Sequence, residues 1–227
     1  TTTDGEVTIT DCDEAATGEL AIPDTIGGFP VTSVGDRAFF GCSSLTSITI
    51  PEGVTSIGIA TFANCSSLTS ITIPEGVTSI GDSAFFHCIG LTSIAIPDSV
   101  TSIEVWAFSG CTSLRSITFL GTAPTVGSFA FSGVAEGAVA LVTIEDQASF
   151  GDIGTDWNGL TLDRILTWTT TGGEVTITDC NQGASGELVI PDTIEGNPVT
   201  SIGNSAFQDC NSLASITSGN GVTSIGR

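Results

Sequence analysis

Apolar residues recur along this chain with a fixed period of 23 residues, and the clearest copies cover residues 45–67, 68–90 and 91–113. The first two copies are identical at their first fourteen positions. Repetition at such a period is typical of a solenoid, because one short repeat cannot bury its own apolar face and must stack on its neighbours. The pattern therefore predicts one continuous apolar column rather than a globular core.

Within each repeat, the apolar positions predict two short extended stretches. In the copy at 45–67 the first stretch ends at Pro51, which has no N–H to donate to a strand ladder. The later segment around Phe62 is too short for more than one helical turn, of the tighter 3₁₀ kind. The predicted fold class is a β-rich repeat solenoid with short strands and 3₁₀ or one-turn helical segments. The inward-facing positions of this copy are Leu45, Ile48, Ile50, Val54, Ile57, Ala60 and Phe62.

The repeat pattern has atypical units at its ends, and its opening recurs later in the chain. These two features predict two modules. Residues 1–34 form an atypical start or cap, 35–136 the repeats, and 137–168 a terminal unit whose Trp157 is bulky enough to cover the end of the column. Residues 169–227 then match the opening of the chain at a constant offset of 168. We expect a complete module at 1–168 and the start of a second, truncated module at 169–227, in a segment of a longer product. No flexible linker separates them, so the junction around Trp168 is predicted to be fixed.

The charge of the chain excludes two classes of partner. The formal net charge is −21, with 25 acidic residues, four basic residues and no lysine. Binding to nucleic acid or to anionic membranes requires clustered basic side chains, which this chain cannot supply. No apolar run approaches the roughly eighteen residues that span a bilayer, so no membrane insertion is predicted in this segment. Such acidity suits a cationic partner or a divalent metal.

Two groups of acidic side chains are candidates for calcium, the only cofactor considered. One group follows the prolines of successive repeats, and the other is a dense run near the start of the chain. Calcium takes carboxylate and carbonyl oxygens as ligands, but no EF-hand or nonapeptide calcium pattern is present. A solvated acidic face is therefore the favoured interpretation, with calcium as the alternative. The candidates are Glu52, Glu75 and Asp98 in the first group and Asp11, Asp13 and Glu14 in the second.

The seven cysteines follow the repeat rather than any metal motif. Zinc sites of the usual kind need cysteines two to four residues apart, and none are. A buried structural ladder is favoured over redox or metal chemistry. Cys42, Cys65, Cys88 and Cys111 lie one repeat apart, Cys210 is the equivalent in the second module, and Cys12 corresponds to Cys180.

The sequence contains no convincing catalytic group. His87 is the only histidine and adjoins Cys88, but neighbours in an extended chain point to opposite sides, whereas a nucleophile and its base must face each other. No phosphate-binding loop or metal cluster is present either. We predict that the chain is not an enzyme.

The polar positions of the first strand are the candidate binding surface. They are predicted to point outward in a regular grid on the concave face that repeat proteins use for binding. The grid lacks the aromatic and arginine anchors of strong interfaces, so binding there would be polar and modest. Two alternatives remain: modules stacking head to tail into a stalk or fibre through open sheet edges, and binding of ice or a crystal surface by the threonine rows. The candidate residues are Ser47, Thr49, Ser70, Thr72, Ser93, Ser116 and Thr118.

The repeat unit reads approximately L-x-x-I-x-I-P-x-x-V-x-x-I-G-x-x-A-F-x-x-C over residues 20–133 and again over 188–226. This unit resembles the Treponema pallidum-type, or BspA-like, leucine-rich repeat. The resemblance implies a leucine-rich repeat solenoid from a bacterial surface or secreted protein that serves adhesion. Its implied partner is a protein or glycoprotein, including another copy of itself, and its implied location is extracellular or at the cell surface.

Overall fold

Each repeat contributes one strand to each of the two sides of the solenoid, because apolar side chains point inward from both of its extended stretches. The computed structural model describes all 227 residues. In chain order the first module contains β1 (Thr2–Thr3), β2 (Glu6–Ile9), β3 (Thr17–Ala21), β4 (Thr25–Ile26), β5 (Phe29–Val34), β6 (Ser44–Thr49), β7 (Ser56–Ile57), β8 (Ser70–Thr72), β9 (Ser79–Ile80), β10 (Ser93–Ile96), β11 (Ser102–Ile103), β12 (Ser116–Phe119), β13 (Thr125–Val126), β14 (Val139–Val142), helix α1 (Gln147–Phe150), β15 (Asp156–Trp157) and β16 (Leu160–Arg164).

The second module repeats the same order of elements after the junction. Its strands are β17 (Leu166–Thr171), β18 (Glu174–Cys180), β19 (Gly186–Ile190), β20 (Thr193–Ile194), β21 (Asn197–Ile202), β22 (Leu213–Ser218) and β23 (Ser224–Ile225). The four-residue helix α1 is the one helix of the chain, and no helix is long and apolar enough to cross a membrane.

Parallel pairing between equivalent strands builds the two sides of the solenoid. The strand face consists of β3, β6 and β8, followed by β10, β12, β14 and β16. The opposite side is one sheet in the order β1-β2-β5-β7-β9-β11-β13, with β4 paired to β5. Equivalent residues lie in register one repeat apart, as Ile48 with Ile71 and Ile94 with Ile117. The predicted β-rich repeat solenoid is confirmed.

The segment around Phe62 differs from the predicted 3₁₀ or one-turn helix. The N–H groups of Phe62 and Asn64 donate to the carbonyls of Ala84 and Phe86 on the next turn, each at 2.8 Å. Only the alternate N–H groups make local bonds, such as Cys65 to Phe62 at 3.2 Å. A continuous helix cannot form, because every second donor is used by a bond to the neighbouring turn. The segment is a series of tight turns instead.

Threonine hydroxyls reinforce the stacking at the start of the shorter strands. The hydroxyls of Thr78 and Thr101 donate to the carbonyls of the equivalent threonines one turn earlier, Thr55 and Thr78, at 3.3 and 3.2 Å. The Thr125 hydroxyl, in register with Ser102, donates to the Thr101 carbonyl at 3.2 Å. These bonds satisfy both a side chain and a backbone acceptor. Their threonines are therefore part of the structural framework.

A phenylalanine ladder forms the centre of the column. Phe39, Phe62, Phe85, Phe108 and Phe131 stack in sequence with ring centroids 5.0–5.7 Å apart. Trp157 lies beyond the last ring, with its centroid 6.2 Å from Phe131, 5.1 Å from Phe119 and 4.9 Å from Phe150. An aromatic cluster therefore closes this end of the column.

Buried apolar residues form two separate cores. The first contains 41 residues between Val7 and Leu162. The second contains 13 residues, which are Leu141 and members of the range from Ile165 to Cys210. Leu141 belongs to β14 yet packs with the second core, so the terminal unit of the first module supplies a surface to the second. The division at residue 168 stays a prediction.

Truncation of one rung of the ladder tests the assignment of the core. Phe85 is fully buried between Phe62 and Phe108, so Phe85→Ala is expected to lower the free energy of unfolding by about 3–5 kcal/mol, measured by chemical denaturation. The matched control is Phe129→Ala, because that side chain is 65% exposed. A loss below about 1 kcal/mol at Phe85, or equal losses at both sites, would contradict the ladder.

Candidate binding surface

The second module docks on the strand face of the first module instead of continuing its ladder. The Ser116 hydroxyl donates a hydrogen bond to the Gly183 carbonyl at 2.8 Å. The Ser185 N–H donates to the Thr118 hydroxyl at 3.0 Å. These contacts join residues 67 positions apart. The residues from 181 to 186 therefore form an elbow that covers β12 and its neighbours.

The elbow corrects two of the predicted surface positions. Ser116 and Thr118 face away from the column, but they are only 4% and 0% exposed because the elbow covers them. Their hydroxyls are already bonded within the chain, so they do not belong to a free ligand-binding face. The structure removes them from the predicted grid.

The other predicted strand-face residues remain accessible. Thr49, Ser70 and Thr72 are exposed, and Ser47 and Ser93 are half-buried. Ser47 pairs with Ser70, and Thr49 with Thr72, so the hydroxyls stand in two rows across neighbouring strands. The equivalent position after Thr72 is Ala95, and the one after that is the covered Thr118. The row that contains Thr49 and Thr72 is thus only two members long, whereas Thr46, Thr69 and Thr92, which lie one repeat apart, are all exposed.

An open cleft lies between the strand face and the elbow. Its polar part has a volume of about 710 Å³ and contains Ser70, Thr72 and Ser93 on one side and residues 185–187 on the other. Its adjoining apolar part, of about 370 Å³, includes Leu120, Ile165, Leu166, Leu188 and Val189. We refer to both parts together as the inter-module cleft.

Carboxylates from both modules line the inter-module cleft. Glu52, Glu75 and Asp98 come from successive repeats as predicted from the sequence, and Glu187 joins them from the second module. Partial desolvation by the walls of the cleft raises the pKa of the exposed Glu75 side chain, and the nearby charges of Asp98, Glu187 and Glu52 raise it further. The cleft is therefore a strongly negative environment in which an added cation would be favoured.

Glu187 could not be singled out from the sequence. Its equivalent in the first module is Glu19, which is an ordinary exposed residue on β3. Only the docking of the elbow brings Glu187 beside the acids of the repeats. No local pattern in the sequence predicts that Glu187 lies beside these acids.

The candidate calcium ligands do not come together as a metal site. All six side chains are exposed, and no group of three or more His, Cys, Asp or Glu side chains is placed to hold a metal ion. In the N-terminal group, the Asp13 carboxylate instead accepts the Ala15 N–H at 2.9 Å. Calcium binding stays a prediction. The six residues are Asp11, Asp13, Glu14, Glu52, Glu75 and Asp98.

Cysteines and the single histidine occupy different sides of the chain. Cys88 is fully buried, and its thiol donates to the Phe62 carbonyl at 3.1 Å. His87 is exposed and stacks on the Phe86 ring with centroids 4.1 Å apart. The two side chains are thus turned apart. Six of the seven cysteines are buried, and Cys12 is half-buried.

The elbow is specific to the second module, although the two openings are nearly identical in sequence. Asn181 donates from its amide to the Asp163 carboxylate at 2.9 Å, whereas the equivalent in the first module is Asp13. Gly183 lies so close to Ser116 that an added Cβ would be 2.9 Å from the serine Cβ, whereas the equivalent is Ala15. If the opening of the first module were placed on the same surface, the Asp13 carboxylate would repel Asp163 and the Ala15 methyl group would clash with Ser116.

A two-sided β-solenoid with parallel strands on one open face is the architecture of leucine-rich repeat proteins. The chain belongs to the BspA-type leucine-rich repeat region family, which matches residues 32–155 and 187–227 in six copies. This finding confirms the resemblance stated from the sequence. No curated protein matches the chain.

Three solved leucine-rich repeat structures are similar to this chain, and the first of them supports the fold. A leucine-rich repeat protein of T. pallidum is similar over 98% of this chain and 78% of its own, with 22% identity and a TM-score of 0.55. A leucine-rich repeat protein of Bacteroides capillosus has 33% identity over 52% of this chain and 89% of its own, with a TM-score of 0.46. A Faecalibacterium prausnitzii leucine-rich cell surface protein has 27% identity over 92% of this chain and 65% of its own, with a TM-score of 0.33.

Exchanging the two elbow residues for their first-module equivalents tests the docking. Asn181→Asp with Gly183→Ala should lower the free energy of unfolding by about 1–3 kcal/mol, because it adds a methyl clash and a like-charge contact. The reverse exchange at the exposed opening, Asp13→Asn with Ala15→Gly, is the matched control and should change stability by less than about 0.5 kcal/mol. Equal effects in denaturant unfolding followed by tryptophan fluorescence would show that the elbow is not docked as described.

Proposed function

We propose that this chain is a non-enzymatic module of an extracellular or cell-surface protein, and that it recognises a basic segment of another protein through the inter-module cleft. One observation carries the proposal: carboxylates from two modules converge on an open cleft with a hydroxyl-lined floor. Membership of the BspA-type repeat family supports a role in protein binding and adhesion, because repeat solenoids of this kind generally act as scaffolds.

The chemistry of the cleft favours lysine or arginine side chains in the partner. Glu52, Glu75, Asp98 and Glu187 line it, and none of the four arginines of the chain does. The elevated pKa of Glu75 reflects partial desolvation and crowding by like charges, and an ammonium or guanidinium group would offset the repulsion between these charges. Such a partner gains favourable charge contacts at the point where the free protein has repulsion.

The apolar part of the inter-module cleft adds a second requirement for the partner. Val189 is 67% exposed at the edge of this part, and Leu188 and Leu120 lie deeper in it. An apolar side chain next to the basic residues of the partner would bury this surface. The partner segment that fits is therefore amphipathic, with basic groups over the carboxylates and an apolar group beside Val189.

A charge-matched pair of variants tests the proposal. The probe is a fluorescent peptide with lysines around a central leucine, and a peptide with glutamines in place of the lysines is the negative control. We expect the triple variant Glu52→Gln, Glu75→Gln, Glu187→Gln to bind the lysine peptide roughly tenfold more weakly in fluorescence anisotropy at physiological salt, since exposed ion pairs contribute about 0.2–1 kcal/mol each.

The control removes the same number of charges elsewhere. Glu136→Gln, Asp152→Asn and Glu195→Gln change exposed carboxylates that do not line the cleft. This variant should bind the lysine peptide as the unmodified chain does. If both variants weaken binding equally, the attraction comes from overall net charge and the cleft is not the recognition site.

The structural alternative, head-to-tail stacking of modules, has less support. The outer edge of β16 is occupied by the antiparallel strand β15, and that of β2 by β1. These two edges offer no free ladder for another chain, whereas β3, β22 and β23 are each paired on one side only. Asp13 and Ala15 do not fit the surface that the elbow covers. This misfit also disfavours docking of the opening of one copy on the terminal unit of another copy.

Light scattering separates the two functions. We expect the 23.0 kDa chain to remain a monomer over a concentration series, with and without calcium, because its opening does not fit the surface that the elbow covers. Growth into long oligomers would make the structural array the leading function. Growth only with calcium would assign the association to the acidic side chains.

A further inference from the structure

Two of the seven cysteines lie outside the ladder of the repeats, and each lies against the first ladder cysteine of its own module. The Asp13 carbonyl oxygen is 3.6 Å from the Cys12 sulfur and 3.9 Å from the Cys42 sulfur. In the second module, the Asn181 carbonyl oxygen is 3.5 Å from the Cys180 sulfur and 3.6 Å from the Cys210 sulfur. The same pair of thiols thus lies near one carbonyl in both modules, and the Cys210 thiol also donates to the Cys180 carbonyl at 3.2 Å.

The remaining ladder cysteines have a different environment. The thiols of Cys65, Cys88 and Cys111 donate to the Phe39, Phe62 and Phe85 carbonyls at 3.0–3.1 Å. Each of these thiols has its own acceptor on the turn before it, and all three are fully buried. They point in the same direction along the stack, which does not suit a bond between them.

We propose that Cys12 with Cys42, and Cys180 with Cys210, are disulfide sites that fasten the opening segment of each module to its first repeat. The oxidant is a small-molecule disulfide such as glutathione disulfide. One cysteine thiolate attacks it, which releases one glutathione thiol and leaves a mixed disulfide. The second cysteine thiolate then displaces the other glutathione, so two protein thiols are oxidised and one disulfide is reduced to two thiols.

Exposure decides which cysteine of the first pair reacts first. Cys12 is half-buried, whereas Cys42 is fully buried. Burial, together with the adjacent Cys12, raises the pKa of the Cys42 thiol to about 12. Cys12 is thus the attacking thiol and Cys42 the resolving one, since attack requires an accessible thiolate.

The second pair is less accessible in the folded chain. Cys180 is 2% exposed and Cys210 is 8% exposed, and burial raises the pKa of both thiols. Their bond must therefore form while the chain folds, before the elbow and the first repeat cover them. The oxidant has to be present during refolding for both links to appear.

The test refolds the full chain in a glutathione redox buffer, then alkylates it under denaturing conditions and counts the remaining thiols. Of the seven cysteines, four should be protected and three should react. Digestion at acidic residues without reduction, followed by mass spectrometry, should give two linked products, one joining Cys12 to Cys42 and one joining Cys180 to Cys210. Both should disappear after reduction.

Single variants make the assignment specific. Cys12→Ser should abolish only the first linked product and Cys180→Ser only the second, whereas Cys65→Ser should leave both. Circular dichroism of each variant shows whether it has folded. Seven reactive thiols in the refolded chain, or links that involve Cys65, Cys88 or Cys111, would overturn the proposal. The peptide-binding measurements do not depend on these bonds, so the two proposals fail separately.

Discussion

The bond from one turn to the next is the interaction on which the rest of the structure depends. Parallel strands on both sides hold equivalent residues in register, so that Phe85 stacks on Phe62 and Ile94 lies beside Ile117. A short turn has almost no core of its own, and its stability therefore comes from its neighbours. This requirement also explains the tight turns around Phe62: their donors bond to the next turn in preference to a local helix.

The elbow shows how a repetitive chain acquires one non-repetitive contact. The elbow covers strands that elsewhere form the open face, and two of its residues, Asn181 and Gly183, differ from their first-module equivalents at this contact. Asn181 and Asp13 both cap a local turn by accepting a backbone N–H, at 3.0 Å and 2.9 Å. Only the asparagine can also donate to Asp163. The two turns therefore have the same local hydrogen bond, and the Asn181 amide adds one long-range contact to those of Gly183 and Ser185.

The sequence predicts the column well because the period itself determines the neighbours of each apolar residue. Phe62, Phe85 and Phe108 could be placed in one ladder without any knowledge of distant contacts. The covering of Ser116 and Thr118 could not be predicted in this way, because their partners are 67 residues away and outside the repeat. The available signal was the difference between Asp13 and Asn181 in otherwise matching segments. The consequence of that difference can be recognised only when the surface that the elbow covers is known.

The same register that stacks apolar side chains also stacks charges. Strands in a ladder are about 4.8 Å apart, so Glu52, Glu75 and Asp98 are held near one another whether or not this is favourable. The raised pKa of Glu75 means that its charged form is disfavoured in the folded chain, and its contribution to stability at neutral pH is therefore unfavourable and is relieved as the pH falls. The elbow adds Glu187 to this group rather than a basic residue. A fold whose stability comes from other contacts can tolerate this repulsion. A cationic partner would bind more tightly because its charge would offset the repulsion between the carboxylates.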